Sequence, residues 1–151
     1  MASGAVKTAI DIGAKVIVVL SLTGRMATYI AKFRPCVSCL MLCPDLIAAR
    51  QASGLLLGTH TVQVDSLEET EELIEEVNYE LVEAGDAEPG DKMVVVAGRK
   101  AGMREQLRIV ELTEGKSYNH FVKGGVEGLE SETLYYDRGM LLKFGQSVRG
   151  I

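Results

Sequence analysis

Two hydrophobic periods alternate along this chain, one of about two or less and one of about 3.6. Val16-Ile17-Val18-Val19-Leu20 is an uninterrupted apolar run, the pattern of a strand buried on both faces of a sheet. Before it, Ala5, Val6, Ala9, Ile10 and Ile12 trace the apolar face of a helix over residues 2–12, and Gly13 ends it. After it, Ser21-Leu22-Thr23-Gly24 turns the chain into a second helix over 24–33, with Met26, Ile30 and Phe33 at helical spacing and Arg34-Pro35 as its stop. Val37 to Leu42 reads as a second strand. Pro44 stands at the first position of a helix that runs through Ala48, Ala49 and Ala52 to Ser53-Gly54. Thr59 to Val64 alternates and is β-branched, a third strand. Ser66-Leu67-Glu68-Glu69 has the form of a capping box, and Leu67, Thr70, Ile74, Val77 and Leu81 line the helix it opens, with Gly85 as its stop.

A turn at Glu88-Pro89-Gly90-Asp91 leads into a fourth strand, 92–97, and then a fifth, 106–112. Only a basic, glycine-bearing loop, residues 98–104, separates these two, so they pair antiparallel. The earlier strand–helix–strand alternation demands a parallel sheet with right-handed crossovers. From Thr113 the composition shifts. Seven of the last 39 residues are glycine, and only Thr133 to Tyr136 and Met140 to Phe144 carry strand-like runs. Residues 113–151 are therefore expected to be an extension that pairs at an edge or stays mobile. The first helix starts almost at Met1, which suggests a piece of a longer protein.

Composition narrows the function. A chain of 151 residues with 47% hydrophobic content is long enough for one domain with a real core. A net charge of −5 gives no basic field, which argues against nucleic acid as a partner. No stretch approaches the ~18 apolar residues of a membrane span, so no membrane partner is expected. Three cysteines, an odd number, point to a reducing compartment and to the cytoplasm as the expected location. Cys36, Cys39 and Cys43 have spacing reminiscent of a cluster motif, but a strand between them would hold Cys36 and Cys43 roughly 20 Å apart, too far to share a metal. His60 and His120 have no acid and nucleophile at a useful spacing, and the acidic run Glu68 to Glu76 reads as a solvated helix face. No catalytic constellation is present.

Two elements remain with chemistry to offer. The strand–turn–helix at Ser21 to Arg25 aims backbone N–H groups and a helix dipole at one point, an arrangement suited to phosphate. The same hydroxyls suit a plain helix cap, with Thr23 in that role. The loop carrying Arg99, Lys100 and Arg104 follows the fourth strand, at the end of the sheet where ligands of open α/β folds bind. If the two converge, a bisphosphate is the matching ligand.

A set of residues in order resembles a known family. Ala5-Val6, Ala9-Ile10, Ala14-Lys15, Ile17 to Leu20, Thr23-Gly24-Arg25, Tyr29-Ile30-Ala31-Lys32-Phe33-Arg34-Pro35, Ala49-Arg50-Gln51, Gly58, Gly90-Asp91, Val94 to Gly98 and Leu107 to Val110 look like the C-terminal domain of pyruvate kinase. The resemblance runs over residues 1–112 and leaves 113–151 without a counterpart. It implies a three-layer α/β sandwich with a mostly parallel five-stranded sheet whose last strand is antiparallel. It also implies a regulatory and assembly role without catalytic residues. The effector phosphate of the family falls on Ser21, Leu22, Thr23, Gly24, Arg25 and Met26, and its second phosphate on the loop at Arg99, Lys100, Ala101 and Gly102 to Met103. Expected partners are a sugar bisphosphate, the catalytic domain of the same enzyme and further copies of the chain. Magnesium and potassium belong to the catalytic barrel of the full enzyme, so no cofactor is expected in this chain, which should be inactive alone.

Several positions depart from the family pattern. Met26 replaces a hydroxyl, Leu22 stands where animal forms often carry lysine, the loop after Gly98 is short and lacks a Trp-Arg-Pro-Gly run, and Arg104-Glu105-Gln106 replaces a Thr-Asn-Thr segment. A shortened loop removes donors from one phosphate. The departures imply effector binding that is weakened, altered or lost, and they leave open a module that only pairs with itself or with a kinase partner.

Overall fold

The computed structural model describes residues 1–98 and 105–116. Its elements are α1 (Ala2–Asp11), β1 (Val16–Leu20), α2 (Arg25–Lys32), β2 (Ser38–Cys43), α3 (Leu46–Leu55), β3 (Thr59–Gln63), α4 (Thr70–Glu83), β4 (Lys92–Ala97) and β5 (Gln106–Glu111). The sheet order is β3-β2-β1-β4-β5. β1 pairs in parallel with both β2 and β4, β2 in parallel with β3, and β4 antiparallel with β5. This is the expected five-stranded, mostly parallel sheet with its last strand reversed.

β1 lies at the centre because every residue in it is buried, and Ile17, Val18 and Val19 have no exposed surface. Alternate residues of β1 feed opposite layers. Ile17 and Val19 pack with α1, α2 and α3 through Ala5, Ala9, Met26, Ala27, Ile30 and Ala49. Val16, Val18 and Leu20 pack with α4 through Leu73, Ile74, Val77 and Leu81. The small residues of α1 and α3 let these helices sit close to the sheet. Three helices thus cover one face and one helix the other, the three-layer sandwich.

Local details differ from the sequence reading where tertiary context decides. Ile10 and Phe33 are 59% and 53% exposed, outside the faces assigned to them, because Ala2, Ala5, Val6 and Ala9 fill the α1 contact and Met26, Ala27 and Ile30 the α2 contact. Asp45 caps α3, its Oδ1 accepting from the Ile47 N–H at 3.0 Å, so Pro44 lies ahead of the cap and not at the first helical position. The Ser66 hydroxyl accepts from Glu68 N–H at 3.3 Å in a separate turn, and α4 begins only at Thr70. Leu67 is buried ahead of the helix, and Leu73 takes the core position beside Ile74. The expected runs at 133–136 and 140–144 lie outside the described residues, as does His120.

Candidate functional site: the turn after the central strand

The strand order steps outward from β1 to β2 and β3 on one side and to β4 and β5 on the other. The C-terminal ends of β1 and β4 therefore flank the point where the chain reverses its direction of winding, the crevice in which open α/β sheets bind ligands. Backbone hydrogen bonds fix the two exits together. Ser21 N–H donates to Leu42 O at 3.1 Å and Gly98 N–H donates to Leu20 O at 2.8 Å. A Cβ on Gly98 would stand 3.2 Å from Leu20 O, so glycine lets the end of β4 lie against the end of β1.

The turn itself is built on Ser21 and Gly24. The buried Ser21 hydroxyl accepts from Gly24 N–H at 3.1 Å, and Gly24, the N-cap of α2, has φ +72°. That left-handed conformation is available to glycine without the cost of a Cβ. Gly24 O then accepts from both the N–H and the hydroxyl of Thr28, at 3.0 and 3.1 Å. Gly24, and not the expected Thr23, is the N-cap of α2, and Thr23 is exposed at the cavity. Below the turn the Cys43 thiol donates to Leu22 O at 3.6 Å and to Asp45 O at 3.5 Å.

Above the turn lies a cavity of about 420 Å³ lined by Ser21, Leu22, Thr23, Arg25, Met26, Tyr29, Gly98 and Glu105. Five of the six residues expected from the turn line it, and Gly24 supports it from beneath. The N–H groups of Arg25 and Met26 belong to the first turn of α2 and have no intrahelical acceptor. Arg25 adds an exposed guanidinium, whereas Leu22, Met26 and Tyr29 give the wall an apolar side. The Lys32 ammonium lies over the Tyr29 ring, 5.3 Å from its centre, within cation–π range. Arg99, Lys100, Ala101, Gly102 and Met103, the second expected element, lie outside the described residues, but Gly98 and Glu105 on either side of them both reach the cavity.

Sequence reasoning missed Tyr29, Gly98 and Glu105 as lining residues. Tyr29 was detectable as the i+3 and i+4 neighbour of Met26 and Arg25 on one helix face. Glu105 brings a carboxylate to a site otherwise suited to anions, and nothing in its spacing announces that. The cysteines behave as structural residues. Cys39 and Cys43 are buried on the sheet face under α1–α3, whereas Cys36 is exposed outside β2. Burial pushes the Cys39 thiol up to about 12, against a smaller opposing effect of its hydrogen bond with Thr59, and burial also raises Cys43. Among the described residues no group of three His, Cys, Asp or Glu side chains could hold a metal ion, and no helix is long and apolar enough to cross a membrane.

Comparison with known proteins gives one consistent result. Residues 1–110 match the family described as "Pyruvate kinase, alpha/beta domain". A pyruvate kinase of Agrobacterium vitis is 31% identical over 114 residues, which are 74% of this chain and 24% of that protein. Two solved Cryptosporidium parvum pyruvate kinase structures, one of them in complex with ADP, superpose with TM-scores of 0.68 and 0.65 at 26% and 27% identity. Each covers 74% of this chain, which spans 23% and 22% of their own length.

Proposed function

Because the chain belongs to the pyruvate kinase family, through that family's alpha/beta domain, we propose that it is a regulatory and assembly domain which binds a sugar-phosphate effector in the cavity above the Ser21–Met26 turn. The carrying observation is that this one cavity is lined both by the turn and by the two residues, Gly98 and Glu105, that anchor the basic loop. The reading assigns Arg99, Lys100 and Arg104, which lie between these two residues in the sequence, to the same ligand.

One phosphate of the effector sits at the start of α2, where the N–H groups of Arg25 and Met26, the Thr23 hydroxyl and the Arg25 guanidinium donate to it. The loop cations take the second phosphate. A ligand held this way links the exits of β1 and β4, and it shifts the assembly toward whichever arrangement keeps those exits in register. The partners in this reading are the catalytic domain of the same enzyme and further copies of the chain, in the cytoplasm. The magnesium and potassium of the catalysed reaction, phosphoenolpyruvate with ADP to pyruvate and ATP, are held by the barrel. Residues 1–112 form the family domain, and 113–151 are an addition to it.

A second reading has its own support. Met26 offers no hydroxyl, the Ser21 hydroxyl is already engaged by Gly24 N–H, and Glu105 opposes an anion. These favour a domain that no longer senses an effector and acts only through protein contacts. Calorimetric titration with fructose 1,6-bisphosphate, with inorganic phosphate as control, separates the two. The effector reading predicts saturable heat that Thr23→Glu abolishes while the unfolding transition stays in place. Unchanged affinity in Thr23→Glu refutes the site assignment, and no heat from the folded wild-type chain at millimolar ligand leaves the assembly reading standing.

A further inference from the structure

Past β5 the chain does not continue along the sheet edge; it turns onto α4. Asn78 is buried, and its side chain makes a reciprocal pair with Thr113. Its Oδ1 accepts from Thr113 N–H at 3.1 Å and its Nδ2 donates to the Thr113 hydroxyl at 3.2 Å. Two residues on, Gly115 lies flush on the helix. A Cβ there would stand 2.7 Å from Glu75 O and 2.9 Å from Tyr79 N, so no other residue fits without moving backbone. Glu75 and Tyr79 are on the side of α4 away from the sheet: at about 100° per residue, Tyr79 is almost diametrically opposite the centre of the stripe of Leu73, Ile74, Val77 and Leu81. The chain has thus crossed to the outer face of α4 when it reaches Lys116.

We propose that the outer face of α4 is the docking surface for this chain's own residues 117–151. Two features of the helix agree. Glu76 points about 115° away from the centre of the core stripe yet is only 2% exposed, and Glu72 and Tyr79, on the side away from that stripe, are half-buried. Thr70–Glu83 carries several glutamates and no cation. The segment that leaves Lys116 brings Lys123, Arg138, Lys143 and Arg149, interspersed with as many acids, Glu127, Glu130, Glu132 and Asp137, together with the apolar runs Leu134-Tyr135-Tyr136 and Met140-Leu141-Leu142-Lys143-Phe144. Side chains of that size leave water when a surface is at hand, and the one at the segment's root is α4. The Asn78–Thr113 pair and the glycine contact set the direction of departure, so docking needs no long loop to be closed. The match to the family ends at residue 110, which makes this a feature the chain adds to the shared domain.

Carbodiimide cross-linking of the full chain tests it, because the reagent joins lysines only to carboxylates in direct contact. Lys116, next to the Gly115 contact, is the reference lysine: a link from it to α4 reports the root of the segment and not its docking. The proposal predicts additional links from Lys123 or Lys143 to glutamates of Thr70–Glu83, within one chain and with a yield unchanged over a tenfold range of protein concentration. Gly115→Val, which puts side-chain atoms against Glu75 O, should cut those links several-fold. Links from Lys116 alone would overturn the proposal on the wild-type chain without recourse to any variant. Links formed between isotopically labelled and unlabelled chains would overturn it in favour of a second copy on α4, and an undiminished yield in Gly115→Val would remove the guiding role of the glycine contact.

Discussion

Removing one hydroxyl should separate the two serine/threonine positions of the turn. Ser21 is 6% exposed and its hydroxyl is the acceptor for Gly24 N–H, at 3.1 Å. In Ser21→Ala that N–H is left in a buried glycine whose left-handed backbone cannot rotate to find another acceptor without dismantling the start of α2. A buried donor stripped of its partner costs about 1–3 kcal/mol, or roughly 3–10 °C in Tm for a chain of this size. Thr23 is exposed and caps nothing, so Thr23→Ala should stay within about 0.5 kcal/mol of wild type. Had Thr23 been the N-cap that its position suggests, its loss would cost about 1 kcal/mol and Ser21 would be the silent site. Urea unfolding of both variants followed by circular dichroism reads the difference, provided the slope with denaturant is unchanged. A larger loss in Thr23→Ala than in Ser21→Ala would refute the geometry of the turn and, with it, the placement of the Thr23 hydroxyl toward the cavity.

Two further outcomes follow from buried side chains. The thiolate is the reactive form of cysteine, and burial raises both Cys39, to about 12, and Cys43. Native chain treated with iodoacetamide near pH 8 should therefore gain one adduct, on exposed Cys36, and three only after denaturation; rapid native labelling of Cys39 would contradict its place under α1–α3. Burial lowers His60 below its ordinary value of 6.5, so the unfolded chain binds the proton more readily than the folded one. The stability this histidine contributes is complete above pH 6.5 and is lost as pH falls toward the lowered folded value. The urea midpoint should decline across that window in wild type and decline less in His60→Asn; identical slopes would place the imidazole in open water.

Much of the fold was legible because its strongest signals are local and redundant. A five-residue, β-branched apolar run reads as a doubly covered strand, small residues at helical spacing mark α1 and α3, and the eight-residue connection between β4 and β5 leaves no room for a crossover helix. Caps were less legible. Ser21, Thr23 and Ser66 all carry the right chemistry, and which of them meets an amide depends on the path of the chain in three dimensions. Here the N-cap is Gly24 at positive φ, its amide meets the buried Ser21, and Thr23 is exposed. The candidate site was half legible for a related reason. The turn residues are contiguous and could be read together, whereas Tyr29 and Glu105 join them only through the packing of α2 and the return of β5. The contact of Gly115 with α4 had no signal at all, since nothing distinguishes that glycine from the others of a glycine-rich segment.

The account stands or falls on whether the turn after β1 still receives a phosphate ligand. Titration of the isotopically labelled full chain with fructose 1,6-bisphosphate, followed by amide chemical shifts, addresses this residue by residue. The account predicts saturable shifts concentrated at Leu22 to Met26, with Gly98 and Glu105 moving along the same binding curve. Shifts confined to residues away from the cavity, or none at millimolar ligand in a well-folded spectrum, would contradict it.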